Sequence, residues 1–69
     1  MTLEDLRLES ELSKRELARQ SDVDFNTVQR EITGEVISLN SANKIARALS
    51  RVLNRNIRYQ DIEGLNIGK

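Results

Sequence analysis

Cysteine and histidine are both absent from this 69-residue chain, which removes thiol nucleophiles, imidazole bases, disulfides and zinc sites built on those ligands. With no Gly-rich phosphate loop either, only ordinary carboxylates remain for acid–base work, so no catalytic residue, metal site or cofactor is expected. Proline is missing and glycine occurs only three times. Stretches rich in Ala, Leu, Arg, Glu and Ser recur instead, and helices throughout are the economical expectation. No apolar run approaches the ~20 residues of a membrane span, and MTLEDLRLES has neither the basic nor the apolar region of a secretory leader. A cytoplasmic setting is expected. Residues 1–69 should form a single domain of a size that buries only roughly 60% of its unfolded surface, so dimerisation or a bound partner would add stability.

An excess of charge of either sign is also lacking, since Lys plus Arg and Asp plus Glu number 11 each. A nucleic-acid-binding domain is usually basic. The balance here is global and not local: residues 1–35 carry nine acidic and five basic side chains, residues 36–69 two acidic and six basic. Most of the second-half charge falls on Lys44, Arg47, Arg51, Arg55 and Arg58, spaced so that one long helix would align them as a stripe.

What is present is a pattern of helix starts and stops. In Ser13–Gly34, SKRELARQSDVDFNTVQREITG, Ser13 and Glu16 have capping-box spacing, so a helix is expected from about Lys14. Asp24 is placed to cap another helix by accepting from the amide of Asn26 or Thr27. Only Ser21, Asp22 and Val23 lie between, and so short a connection makes the two helices cross steeply and pack through Leu17, Ala18, Val23 and Val28. Earlier, Thr2 and Asp5 form a weaker cap for a helix over about Leu3 to Glu11. Later, Gly34 suits a helix end, Glu35 to Ile37 a loop, and Ser38 a new cap. The fourth helix is expected from Leu39 to Val52 or Leu53, with an apolar stripe through Ala42, Ile45, Ala46 and Leu49 opposite the basic one, and Asn54 and Asn56 mark its end. Arg58 to Glu63 reads as a fifth, short helix burying Tyr59 and Ile62. Residues 64–69 read as a tail in which Leu65 and Ile67 are apolar anchors and Gly68 and Lys69 are frayed.

The order Leu12-Ser13, Leu17-Ala18, Val23, Thr27-Val28, Arg30, Gly34, Ser38-Leu39, Lys44-Ile45-Ala46, Ala48 and Leu49 resembles the phage-repressor helix-turn-helix family, the XRE or Cro-like domains, over about Leu3 to Ile62. The resemblance implies an all-α, lambda-repressor-like bundle of about five short helices, with its helix-turn-helix unit at residues 13–34. It also implies a homodimer on double-stranded DNA, with the third helix in the major groove, acting in transcription regulation. Carried over by position, it puts Phe25, Asn26, Gln29, Arg30 and Thr33 at base edges and Lys14, Asn40 and Lys44 at phosphates. The chemistry agrees: Arg bonds guanine bidentately, Asn and Gln bond adenine, and an aromatic edge meets a thymine methyl.

Two features set this chain apart from that family. Asp22 stands where the family has a turn glycine, and Glu31-Ile32 reverses the family's order of an apolar residue followed by Glu. The reversal leaves two rotations of the third helix open. Either Glu31 is partly buried against a cation such as Arg7 or Arg19, or the helix hides Phe25 and shows Asn26, Arg30 and Thr33; an unpaired buried carboxylate is excluded by its cost. Zero net charge and the acidic rim of Asp22, Asp24, Glu31 and Glu35 keep a second function open, a protein-interaction module of antitoxin or docking-subunit type. The basic stripe reads as a solvated face, or else as a second nucleic-acid contact or a dock for an acidic partner.

Overall fold

Three hydroxyl side chains start three of the helices. In the computed structural model, which describes residues 1–68, Thr2 precedes α1 (Leu3–Ser10), Ser13 precedes α2 (Lys14–Ser21) and Ser38 precedes α4 (Leu39–Leu53). Each accepts from the backbone amide three residues on, satisfying one donor that a helix start leaves open. The reciprocal half of the box forms only at α1, where the Thr2 amide donates to Asp5 at 3.1 Å. At α2 the Glu16 carboxylate turns to Arg19 instead, 2.6 Å away. α3 (Phe25–Ile32) has no side-chain cap: the Asp24 carbonyl, not its carboxylate, accepts from Thr27 and Val28.

Helix ends follow equally local chemistry. Glu11, Asp22 and Asn54 take the left-handed conformation after α1, α2 and α4, and Gly34 takes it after α3 at φ 84°. Asp22 reaches φ 58° in the place where a glycine would be free of strain. It begins a connection of three residues, Asp22–Asp24, between α2 and α3.

α4 is the platform. Ala42, Ile45, Ala46, Ala48 and Leu49 are all buried along one of its faces, and Leu3, Leu6, Leu17, Val28, Ile57 and Ile62 close over that face from α1, α2, α3 and the C-terminal segment. Full burial of a side chain such as Leu49 contributes about 1.5–3 kcal/mol. No helix among the described residues is long and apolar enough to cross a membrane.

The chain is mostly helical but not all-α. Val36 and Ile37, expected as loop, form strand β1 with the capping Ser38, and Asn66–Gly68, expected as part of a tail, is strand β2; they pair in parallel with Ile37 opposite Ile67. Val36 and Ser38 point outward and Ile37 inward, the alternation of a half-buried strand. α4 and the turn after it return the chain beside β1, where each strand supplies backbone partners that the other lacks. Gly68 therefore belongs to β2, whereas Lys69 lies outside the described residues. The fifth helix is a single 3₁₀ turn, Tyr59–Asp61, because Ile62 is already extended and Glu63 bridges to Thr2. Ile57 and Ile62 are buried as expected, while Tyr59, Leu65 and Ile67 are half-buried.

Ser50 joins α4 to this returning segment: its hydroxyl accepts from the Ile57 amide at 2.9 Å and lies 2.8 Å from the Ala46 and Ile57 carbonyls. Ser50→Ala leaves the Ile57 amide without that partner, and urea unfolding is expected to show a loss of about 1–2 kcal/mol.

Candidate nucleic-acid interface

The three-residue connection fixes which side of α3 faces the core. Val28 and Glu31 are buried, Ile32 packs against the core, and Asn26, Arg30 and Thr33 are exposed, with Gln29 half-exposed. Asn26, Gln29, Arg30 and Thr33, four of the five residues placed at base edges by the resemblance, thus come together around one shallow depression of about 390 Å³. Glu35 lines it as well. Its carboxylate is 3.1 Å from the Thr33 hydroxyl, which also lies 3.1 Å from the Gln29 and Arg30 carbonyls, so Thr33 is already engaged by its own chain.

Phe25 is set apart from these four. It is 37% exposed, and the Arg15 guanidinium stacks over its ring 5.5 Å from the centroid, a cation–π distance. Arg15 was not among the residues predicted from sequence. No single-helix periodicity links it to Phe25, since the pair forms across the connection between α2 and α3. Among the described residues Lys14, Arg15 and Arg30 make no ion pair.

The three predicted phosphate residues are not gathered at one place. Lys14 opens α2 and Asn40 lies in the first turn of α4. Lys44, one turn further, is 4.0 Å from Asp22 and shares a cleft with Asp24, Thr27 and Ser41.

The structure takes the rotation that turns Glu31 inward, and corrects only the cation expected to meet it. Glu31 is on the buried face at 5% exposure, yet neither carboxylate oxygen has a hydrogen-bond partner. Arg7 is held elsewhere, by Glu4 and by the Leu12 carbonyl at 2.8 Å, and Arg19 pairs with Glu16. Phe25, meanwhile, stays at the surface. The Ser21 hydroxyl is likewise buried and unpartnered.

Burial drives the Glu31 carboxyl up from an ordinary 4.5 to about 7, because the interior disfavours the charged form. The folded protein therefore holds this proton more tightly than the unfolded chain, so stability is full below pH 4.5 and falls as pH rises to 7, by about 3 kcal/mol in all. Asp5 and Glu16 are shifted below the ordinary carboxylate range by their hydrogen bonds, to Thr2 and to Arg19 respectively, and act in the opposite sense at lower pH. Denaturant unfolding from pH 4.5 to 8 is expected to show the decline, and Glu31→Met to abolish it while raising stability at pH 8 by about 1–4 kcal/mol. A flat wild-type profile would contradict this account.

Compared with protein-family models, with curated proteins and with solved structures, the chain matches none.

Proposed function

We propose that this chain is a helix-turn-helix module of the phage-repressor type that binds double-stranded DNA as a homodimer and regulates transcription by occupancy, without catalysis. The observation that carries the reading is the grouping of Asn26, Gln29 and Arg30 on an exposed face of α3 while Val28 and Ile32 anchor its other side. A helix fixed in that way fits a major groove about 12 Å wide, and these three side chains are of the types that read base edges there. Arg30 bonds guanine and Asn26 and Gln29 bond adenine. Phe25, backed by Arg15, meets a thymine methyl. Lys14, Asn40 and Lys44 serve phosphates, and Thr33 joins them at the groove once Glu35 releases its hydroxyl.

The acids on the same face imply a modest affinity. The Glu35 carboxylate stands in the Arg30 depression and Asp22 faces Lys44, and each acid near a phosphate offsets part of the counterion release on which binding depends. Those acids are also what favours the second reading, a protein-interaction module on the same scaffold.

Selection from a random duplex pool separates the two. Recovery of a palindrome is expected, since two-fold protein symmetry is mirrored in the site. On the selected duplex, Arg30→Ala should cost about 1–3 kcal/mol and relax preference at one base pair, and Glu35→Gln should tighten binding, both read by fluorescence anisotropy at fixed salt. Retention of no duplex at low salt rejects DNA binding in favour of the protein partner.

A further inference from the structure

The basic stripe of α4 does not act as one surface. Lys44 lies against Asp22, and Arg55 is 2.8 Å from Glu9, so these two cations are turned toward the acidic N-terminal half. Between them, α4 and the segment at residues 56–60 frame an open cleft of about 590 Å³. Three arginines line it, Arg47, Arg51 and Arg58, and no acidic residue does. Ala46, Ile57 and Tyr59 form the apolar part of its floor, which also carries four uncharged polar residues. In a chain with as many acids as bases, this is a marked local surplus.

The guanidinium groups are only lightly engaged. Among the described residues Arg47 makes no ion pair, Arg51 donates to the Gln20 carbonyl at 3.1 Å, and Arg58 is 3.7 Å from Asp61 with a side chain 66% exposed. Arg forks recognise carboxylates bidentately, and Arg and Tyr are the side chains most enriched where protein partners dock.

We propose that this cleft docks an acidic peptide segment of a partner protein. The carboxylates of that segment meet Arg47, Arg51 and Arg58, and an apolar side chain between them covers Ala46, Ile57 and Tyr59. Charge complementarity and the floor together choose the occupant: a sugar–phosphate chain would use the guanidinium groups and leave the apolar part of the floor uncovered. The cleft shares no residue with the α3 depression, so the inference stands independently of DNA binding.

The chain supplies its own reporter, because Tyr59 is the single tyrosine and tryptophan is absent. The probe is a labelled, aromatic-free peptide of about twelve residues repeating Glu-Glu-Leu, titrated into the full chain. Saturable change in Tyr59 emission is expected, with binding about tenfold weaker for Arg47→Glu and for Arg58→Gln, and unaltered for Arg30→Ala. Far-UV circular dichroism verifies that the variants are folded. Equal response to the peptide with Gln in place of Glu, or equal affinity in Arg47→Glu, would overturn the proposal. So would displacement of the labelled peptide by a thymidine oligonucleotide at lower concentration than by the unlabelled peptide, which would make nucleic acid the occupant.

Discussion

Close packing on the alanine-bearing face of α4 sets where every other element of this chain sits. Ala42, Ala46 and Ala48 carry no side chain beyond Cβ, so neighbouring backbone approaches closely, and Ile45 and Leu49 fill the space between. α2 is held there by Leu17 and Ala18, and α3 joins the same core through Val28 while packing chiefly against α2. Because only Asp22, Val23 and Asp24 join those two helices, fixing α2 on α4 also fixes the rotation of α3. The outward set of Asn26, Gln29 and Arg30 is thus a consequence of core packing at some remove from it. No surface interaction is needed to hold those side chains out.

Electrostatics works by subtraction in this molecule. Exposed pairs such as Glu9 with Arg55 and Asp22 with Lys44 contribute little stability, since solvent screens them. Their effect is to occupy cations, and what is left is informative. Among the described residues Lys14, Arg15 and Arg30 make no ion pair on the α2–α3 side, and Arg47 makes none on the far stretch of α4. A net charge of zero therefore coexists with cations left without an acidic partner at two separate places.

Helix boundaries were legible from sequence because their determinants are local. Thr2, Ser13 and Ser38 bond amides three residues away, and Asn54 and Gly34 end helices through their own backbone conformations. The pairing of Ile37 with Ile67 was not legible, since it joins segments separated by the whole of α4 and depends on where packing delivers the chain. Arg15 over Phe25 escaped notice for the same reason, as did the cleft between α4 and the 56–60 segment. For Glu31 the inward rotation was one of the two readings the sequence left open, and only the missing partner was not legible. A helical wheel ranks faces by apolar content and so favours hiding Phe25, but the rotation of α3 is dictated by its tether to α2, and the carboxylate is carried inward with Val28. One candidate cation, Arg7, is engaged instead by Glu4 and the Leu12 carbonyl.

That buried carboxylate weakens the docking of one helix in particular. α1, α2 and α4 each keep a hydroxyl cap, whereas α3 has no side-chain cap and carries an unpartnered acid on its inner face. Local stability in proteins is uneven, and elements that engage partners are drawn from its weaker end. What keeps α3 in register is the apolar pair Val28 and Ile32 together with its C-terminal closure, where the Glu35 amide reaches the Arg30 carbonyl at 2.7 Å and the Asn66 side chain donates to the Gly34 carbonyl. The small sheet thereby acquires a purpose beyond its own hydrogen bonds: β2 ties down the end of the helix least secured by its own sequence. Ionisation of Glu31 loosens α3 at its inner face and leaves that tether intact, so the face bearing Asn26, Gln29 and Arg30 is held most firmly when Glu31 is protonated.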